Sequence, residues 1–431
     1  MKVARNAMHG LIGFVAPAAV VFASYPILIR HLGPSAFGVY VLAVSMSGAM
    51  MFLDLGFSAA TLRFVAQDLA AGRTKAAADV VVTSLLFYGG VGVVGGLAIG
   101  IFAPVWARLF KIDAALSADA VMVFRLAGVQ FVAYLIAMVF VSIAKAAGRF
   151  DRAAIYVSLL SIATYGAAMA AVLAGAGLAG AMTAVVIANF AALALIATSG
   201  LRLCRARGME IGHARPIAFR RMLGFGWALT ASSVAGFFLY QIQRFLVGFV
   251  MGPAAVSIYQ AASVVPSKLH AAVNAASEVM FPLASASRDR ASLRQVYLRM
   301  LGASALAALA GFAGLVILAR PLVGWWLGET VAASVAPLIP VFALAYFFLA
   351  LSPAPFHLVN GIGRPGLNTW FYAVNALLNV ALIGAFALSG LTLAKFAWAF
   401  AAANIATSLG YQVTVEALIW KREARISEAA A

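Results

Sequence analysis

The chain is poor in the residues that water-soluble proteins place on their surface. Charged residues make up 10% of its 431 positions, and only 13 residues are acidic. Hydrophobic residues account for 65%, which is more than a soluble domain of this length buries. These values exclude a soluble globular protein and indicate a membrane protein.

Cysteine and catalytic motifs are also scarce. The single cysteine, Cys204, cannot form an intrachain disulfide and belongs to no cluster of metal ligands. The sequence has no nucleophile elbow, no phosphate-binding loop and no nucleotide-binding domain. We therefore expect no cofactor, no metal site, no catalytic residues and no ATP-driven chemistry in this chain.

Twelve apolar stretches are long enough to cross a bilayer, because a helix needs about 20 residues to span a ~30 Å hydrocarbon core. They are too long for the strands of a membrane barrel. The stretches lie at 8–29, 38–62, 77–102, 119–142, 153–174, 178–200, 223–248, 255–282, 300–319, 336–358, 369–388 and 394–419. The sequence thus predicts an all-α, polytopic membrane protein with 12 transmembrane helices.

The formal net charge of +17 follows the predicted topology. If the N-terminus is cytoplasmic, 22 of the 30 Lys and Arg residues fall on inner segments and four on outer loops. This positive-inside asymmetry places both termini in the cytoplasm, and it explains the basic composition without nucleic acid as a partner.

The two halves of the chain repeat each other. Residues 33–43 and 252–262 share Gly, Pro, Ala, Tyr and Ala at one offset of 219. Each half holds an even number of spans, so the repeats run parallel and are related by an axis along the membrane normal. We expect two six-helix lobes with pseudo-two-fold symmetry, 1–200 and 223–431, joined by a basic cytoplasmic linker at 201–222.

Polar residues recur at helical spacing on one face of several spans. The clearest faces are Ser263, Ser267, His270, Asn274 and Glu278; Ser233, Gly236, Tyr240 and Arg244; Asn368, Tyr372, Asn375 and Asn379; Asn404, Ser408 and Tyr411; and Ser47, Asp54, Ser58 and Thr61. Polar groups in hydrocarbon face either a hydrated cavity or another helix. The set as a whole favours a shared cavity between the lobes, whereas hydrogen bonding to a neighbouring helix is the favoured explanation for any single Asn or Ser.

Four ionisable residues are candidates for function. Lys268 lies halfway along its span and points about 200° away from His270 on an ideal helix, so it is expected to meet an anion or an acid. Arg244 lies nearer the outer end of its span, where it faces either the cavity or the rim. Asp54 and Glu278 lie toward the cytoplasmic ends of the second span of each half, and two roles remain open for them: proton exchange or a static ion pair.

A family resemblance rests on residues 25–66. The segments Tyr25 to Pro34, Phe37 to Tyr40, Asp54 to Phe57 and Ala60 to Ala66 look like the amino-terminal half of Wzx-type O-antigen and exopolysaccharide flippases. These are polysaccharide-biosynthesis exporters of the multidrug/oligosaccharidyl-lipid/polysaccharide superfamily. In the second half, Gln243-Arg244 before Gly252-Pro253 fits the same family, with Gln243 where an Asp is common.

The resemblance implies two MATE-like lobes forming a V and a lipid-linked oligosaccharide carried on undecaprenyl pyrophosphate. Alternating access would move its head group from the inner to the outer leaflet of the bacterial inner membrane, and the lipid tail would stay in the bilayer. The expected partners are this substrate, membrane lipid, and the polymerase and glycosyltransferases of the same pathway.

Roles follow for the polar and ionisable candidates. Arg244 and Lys268 are predicted to contact pyrophosphate, and Asp54 or Glu278 to couple transport to an ion. The sugar contacts are predicted to be Tyr240, His270, Asn274, Asn375 and Asn379.

Two other functions remain open at this point. A cation-coupled multidrug exporter of the same superfamily would need an aromatic and acidic site rather than a cationic one. A membrane polysaccharide polymerase or ligase would need catalytic groups on a substantial outer loop, whereas the longest outer loops predicted here are only about 103–118 and 320–335.

Overall fold

The structure, a computed structural model, describes residues 2–49, 53–209, 212–286, 289–364 and 366–417. Helices occupy nearly all of these ranges, and no strand occurs within them. The prediction of an all-α protein is therefore confirmed. Helices are the expected solution for apolar segments in hydrocarbon, because each helix satisfies its backbone groups internally.

The first half of the chain forms eight α-helices within the described ranges. They are α1 (Lys2–Ala49), α2 (Phe57–Ala70), α3 (Thr74–Ile101), α4 (Ala103–Leu109), α5 (Ala114–Ala146), α6 (Phe150–Ser161), α7 (Ala167–Leu173) and α8 (Leu178–Ala206). A π-helical turn, Ile162–Gly166, joins α6 to α7.

The second half continues the numbering. Its helices are α9 (Pro216–Tyr240), α10 (Ile242–Met251), α11 (Pro253–Ser277), α12 (Met280–Ala286), α13 (Arg290–Ile317), α14 (Ala319–Leu327), α15 (Glu329–Val335), α16 (Ile339–Ala350), α17 (Pro353–Gly361), α18 (Gly366–Ala387) and α19 (Leu393–Val415). A 3₁₀ turn, Ala336–Leu338, joins α15 to α16.

Eight segments in the described ranges are long and apolar enough to cross a membrane. They are Pro17–Met46, Thr74–Ile101, Ala114–Ala146, Phe150–Leu173, Leu178–Ala206, Ala291–Ile317, Glu329–Gly361 and Gly366–Ala387. Each has at least 22 residues, which exceeds the about 20 that a bilayer core requires. The seventh, eighth and twelfth predicted spans fall on α9 with α10, on α11 and on α19. These helices therefore form a polytopic membrane protein.

The second predicted span, 38–62, is not one helix. Described helix ends at Ala49 and resumes at Phe57, and between them Leu55 and Gly56 adopt positive φ angles of 47° and 72°. Positive φ interrupts an α-helix, so Asp54 does not share a continuous helical face with Ser47 as the spacing suggested.

Two compact units can be distinguished by their internal contacts. The first comprises residues 1–237 and 244–257, and the second comprises 238–243 and 258–431. The predicted lobes 1–200 and 223–431, with their linker at 201–222, follow the sequence repeat instead, and that division stays a prediction.

Glycines at equivalent places in the repeat share a backbone conformation. Gly33 and Gly252 have φ angles of 79° and 81°. Gly148 and Gly363, a looser match in which each glycine is followed by an arginine, have 70° and 81°. Such angles strain any residue with a Cβ, so glycine is the residue expected at these turns. The chain therefore turns in the same way at matching points of both halves.

A buried polar cluster holds the first unit together at the π-helical turn. The Tyr40 hydroxyl donates to the Thr164 carbonyl at 3.0 Å. The side-chain amides of Gln130 and Asn189 donate to Thr164 Oγ1 at 3.3 and 3.2 Å. One residue of the turn thereby connects α1, α5 and α8, which are distant in sequence.

Acidic residues of the first unit hold the basic segment that precedes α9 and the first turns of α9 itself. Asp79 accepts from the backbone N–H of His213 and pairs with Arg215, both at 2.8 Å. Asp68 pairs with Arg73 at 2.6 Å and with Arg221 at 3.2 Å. Two of the few acids in the chain therefore fix this segment against α2 and α3.

The two copies of the Gly-Pro motif also meet within the first unit. A Cβ added to Gly38 would lie 1.8 Å from the carbonyl oxygen of Pro253, so only glycine allows this backbone contact. Phe110 stacks on Phe249 nearby, with 4.7 Å between ring centroids, and Lys111 Nζ donates to the Val250 carbonyl at 2.7 Å.

We predict that Gly38→Ala destabilises the protein by about 1–3 kcal/mol, because the added methyl group forces the backbones at Gly38 and Pro253 apart. The measurement is the midpoint of thermal unfolding in detergent. Gly89→Ala is the matched control, since a Cβ at Gly89 meets no atom within 4 Å. Equal unfolding temperatures for the two variants would show that the close contact is absent.

Candidate functional site

A small polar cavity lies inside the second unit, and three of the predicted sugar contacts line it. His270 and Asn274 reach it from successive turns of α11, and Asn375 reaches it from α18. The other lining residues are Leu349, Ser352, Pro353, Phe356, Asn368, Phe371, Tyr372, Thr407, Ser408 and Tyr411. Ser408 and Tyr411 of α19 also lay on a predicted polar face, so residues chosen by helical spacing on three helices line one cavity.

The break between α16 and α17 opens one wall of this cavity. The chain turns at Leu351 and Ser352, and α17 begins at Pro353, which lacks the N–H that would continue the earlier helix. Ser352 Oγ lies 3.1 Å from Ser408 Oγ of α19. Gln412, one turn further along α19, donates to the Leu351 carbonyl at 2.6 Å and so satisfies a carbonyl at the break.

Amide hydrogen bonds between helices fix the polar lining. Asn375 Nδ2 donates to Asn404 Oδ1 at 3.2 Å and to Thr407 Oγ1 at 2.7 Å. Asn368 Nδ2 donates to Asn360 Oδ1 at 2.8 Å, and Asn368 Oδ1 accepts from the Tyr411 hydroxyl. These bonds join α18 to α17 and α19 and orient each amide.

Two buried polar atoms of residues that line the cavity lack a hydrogen-bond partner among the described residues. His270 Nδ1 and Asn375 Oδ1 have no hydrogen-bond partner among the described residues, although the two side chains are only 8% and 3% exposed. An unpaired buried polar atom costs about 1–3 kcal/mol, so such atoms normally meet water or a ligand. Both belong to side chains that line the same cavity, so its wall carries two buried groups whose hydrogen bonding is unmet by the described residues.

Aromatic rings form much of the remaining wall. Tyr372 stacks on Phe356 with 5.8 Å between centroids, and Tyr411 packs against Phe371 at 4.4 Å. The free space amounts to about 50 Å³, enough for one or two water molecules at about 30 Å³ each. In this conformation the free space is too small for a sugar ring.

Asn379, another predicted sugar contact, lies outside this cavity lining. Gln243 Nε2 donates to Asn379 Oδ1 at 2.8 Å, and the Tyr259 hydroxyl donates to Gln243 Oε1. All three residues are buried. Gln243, which stands where an Asp was expected, therefore belongs to a neutral hydrogen-bonded group that joins α10, α11 and α18.

The two predicted phosphate contacts lie in different units. Lys268 is half-buried on α11 and does not line the cavity, in agreement with its angular distance from His270. Arg244 is half-buried on α10 in the first unit, where its Nη1 lies 3.4 Å from Ser45 Oγ. The side chain of Tyr240 lies outside the described residues.

The two predicted coupling acids differ in environment. Asp54 Oδ1 accepts from the Ser58 backbone N–H at 3.2 Å, from Ser58 Oγ at 2.7 Å and from the Tyr88 hydroxyl. Among the described residues no arginine or lysine pairs with Asp54, so its local partners are hydroxyl groups rather than cations. Glu278 is exposed just beyond the end of α11.

The matching protein-family model is described as "Polysaccharide biosynthesis protein" and covers residues 27–336. The chain belongs to this polysaccharide biosynthesis family. A Shigella flexneri protein named "Putative O-antigen transporter" is 24% identical over 393 residues, which cover 89% of this chain and 90% of that protein.

Solved transporter structures share the fold of this family member. A multidrug resistance MATE family transporter of the MOP superfamily, in an inward-facing conformation, superposes with a TM-score of 0.79. The identity is 14%, and the match covers 95% of this chain and 98% of the other. The lipid II flippase MurJ, in an inward closed conformation, superposes with a TM-score of 0.75 at 14% identity, covering 95% of this chain and 87% of the other.

The fold is therefore MATE-like. The described residues contain no cluster of three His, Cys, Asp or Glu side chains that could hold a metal ion. The groups described at the site can form hydrogen bonds and pack against aromatic rings.

Sequence reasoning missed several members of the site. Ser352 and Thr407 line the cavity, and Tyr88 holds Asp54, yet none of them lay on a predicted polar face. Thr407 follows Asn404 by three residues and could have been added to that face by the same spacing. No local signal relates Tyr88 to Asp54, because the two are 34 residues apart and on different elements.

Proposed function

We propose that the protein moves a lipid-linked oligosaccharide, carried on undecaprenyl pyrophosphate, from the inner to the outer leaflet of the bacterial inner membrane. The observation that carries this proposal is the neutral polar cavity with two unpaired buried atoms, His270 Nδ1 and Asn375 Oδ1. The kinship to a protein named as an O-antigen transporter supports the same substrate class. Alternating access of two lobes is the proposed mechanism.

Sugar hydroxyls suit this cavity because they both donate and accept hydrogen bonds. The unpaired amide oxygen needs a donor, and the imidazole nitrogen can take either role according to its tautomer. Asn274, on the same wall, offers a further amide. Water molecules that bridge such groups are displaced at little cost when the ligand reproduces their hydrogen bonds. The cavity would enlarge in the state that admits a sugar, since its present free space is about 50 Å³.

The sugar assignment predicts that His270→Phe slows translocation about tenfold or more, because the aromatic ring stays beside Tyr346 while the hydrogen-bonding nitrogen is lost. The measurement is the flipping rate of a lipid-linked oligosaccharide in reconstituted vesicles. His357→Phe is the control, since His357 also has a buried nitrogen without a partner among the described residues but does not line the cavity. Equal rates for both variants would contradict the assignment.

The pyrophosphate group is assigned to Lys268 and Arg244. Each is half-buried on a helix of the second half of the chain, and a cation at such a position gains most from pairing with an anion. Arginine and phosphate also form bidentate charge-assisted hydrogen bonds. The lipid tail would remain in the bilayer while the head group crosses.

Removing either positive charge is expected to reduce translocation about tenfold or more, because a charge-assisted hydrogen bond contributes about 1.5–3 kcal/mol. We predict this result for Lys268→Gln and for Arg244→Gln in the same vesicle assay, with Lys75→Gln at an exposed position as control. If Lys268→Gln left translocation intact, the phosphate assignment of Lys268 would be wrong.

Ion coupling is assigned to Asp54 in preference to Glu278. Asp54 is half-buried and held by hydroxyl groups, so its charge is not already neutralised by a described cation. Its neighbours Leu55 and Gly56 form the only described break between α1 and α2, so a change at Asp54 acts where the backbone turns. Glu278 is exposed and remains the second candidate.

The coupling assignment predicts that Asp54→Asn keeps substrate binding but abolishes acceleration of flipping by an imposed proton or sodium gradient. The amide keeps an oxygen that can accept from Ser58, while the exchangeable negative charge is lost. Asp113→Asn, at the start of α5, is the control. Gradient-driven flipping by the Asp54→Asn variant at the normal rate would exclude Asp54 as the coupling group.

A cation-coupled drug exporter is the main rival, because a multidrug transporter shares the fold. The described lining of the cavity contains aromatic rings, which a drug site would share, but it contains no carboxylate. A cationic drug would therefore find no opposite charge there. The same absence of an acid, together with the unpaired amide oxygen, favours a neutral hydroxyl-rich ligand.

We propose that both termini lie in the cytoplasm of a bacterial cell, because the positive-inside asymmetry favours this orientation. The glycosyltransferases that build the oligosaccharide and the polymerase that consumes it are the partners proposed for this flippase. Fusing a cytoplasm-specific reporter to each terminus would test the orientation, and an inactive reporter at either terminus would contradict it.

A further inference from the structure

A groove of about 530 Å³ runs along the surface of the first unit between α3, α5 and α8. Its walls include Val93, Leu97, Val129 and Phe190, and all four side chains are exposed. Among the described residues that line it, Arg125 alone is charged. The groove is therefore an apolar channel with a single cation along its length.

Glycine contacts create the groove. A Cβ on Gly96 would lie 2.4 Å from the Gly128 carbonyl oxygen, and one on Gly128 would lie 2.2 Å from that of Gly96. α3 and α5 therefore touch through their backbones, and no side chain rises from the contact to fill the surface. Gly100 extends the floor of the groove toward Arg125. A Cβ on Gly100 would lie 3.9 Å from the Cα of Arg125.

Arg125 lies within reach of lipid head groups. α5 has 33 residues, so it is about 50 Å long and exceeds the ~30 Å hydrocarbon core by about 20 Å. With this excess shared equally between the two ends, Arg125 lies about 6 Å inside the hydrocarbon boundary nearer Ala114. A long side chain can extend from that depth to the phosphate layer.

No residue that the structure describes neutralises the charge of Arg125. Its side chain is exposed, and it makes no hydrogen bond or ion pair with any residue that the structure describes. A cation at this depth is costly unless it pairs with an anion. The anions available at the boundary of a bilayer are lipid phosphates.

We propose that the groove binds one phospholipid of the bilayer with a net-negative head group. Its phosphate pairs with Arg125, and one acyl chain lies along Gly100 and Gly96. A single guanidinium matches a single phosphodiester in bidentate geometry, whereas a diphosphate carries more charge than one arginine offsets. The occupant is therefore a resident lipid and not the transported one, and this site is independent of the proposed sugar and pyrophosphate contacts.

The test is native mass spectrometry of the delipidated full-length protein with added phosphatidylglycerol or phosphatidylcholine of equal chain length. We expect phosphatidylglycerol to bind the first site about tenfold more tightly, because the choline cation of phosphatidylcholine offsets the phosphate charge that Arg125 would otherwise neutralise. Arg125→Gln should abolish this preference, and Arg125→Lys should retain part of it. Gly100→Leu should weaken binding of both lipids, because its side chain enters the groove at a point where a Cβ has room.

Matched variants separate the groove from the rest of the surface. Arg108→Gln removes another exposed arginine outside the groove, and Gly90→Leu adds a side chain on α3 where no atom lies within 4 Å. Both should bind as the unaltered protein does. The proposal is overturned if Arg125→Gln keeps the preference for phosphatidylglycerol, if Gly100→Leu binds normally, or if a polyprenyl diphosphate displaces the phospholipid from this site.

Discussion

A polar group inside a membrane protein has to find a hydrogen-bond partner, because hydrocarbon offers none. In the second unit this constraint is met by amides that bridge helices: Asn375 reaches α19, Asn368 reaches α17, and Gln243 reaches Asn379. The bridges fix the positions of α18 and its neighbours. His270 Nδ1 and Asn375 Oδ1 remain without a partner among the described residues, and both side chains line the cavity.

The first unit satisfies the same constraint in a different way. Where Gly96 meets Gly128, two helices approach so closely that their backbones touch, and no polar side chain is needed at the contact. Polar residues concentrate instead at Thr164, in the π-helical turn, where three helices converge. A π-turn frees backbone groups from the regular helical pattern, and the Tyr40 hydroxyl takes up one of them.

Hydropathy alone predicts the helical class, since only helices satisfy such long apolar segments. Helical spacing also predicts that His270, Asn274 and Asn375 share a cavity. It does not separate Asn375 from Asn379, which lie on the same face one turn apart. Asn375 keeps an unpaired oxygen, whereas the oxygen of Asn379 accepts from Gln243, 136 residues away. A partner at that distance is set by helix packing, which no local pattern contains. The break at Leu55 and Gly56 escapes hydropathy for a related reason, because the residues around it are largely apolar apart from Asp54.

The proposed coupling residue Asp54 and the neutral cavity belong to different compact units, which affects how a transport cycle can be studied by mutation. Asp54 and its hydroxyl partners belong to the first compact unit, while the neutral cavity belongs entirely to the second. They share no hydrogen-bond partner among the described residues, and effects of substitutions at sites without shared partners usually add. A departure from additivity in flipping between Asp54 and His270 variants would therefore point to a conformational equilibrium that both sites bias, which is what coupling by alternating access requires.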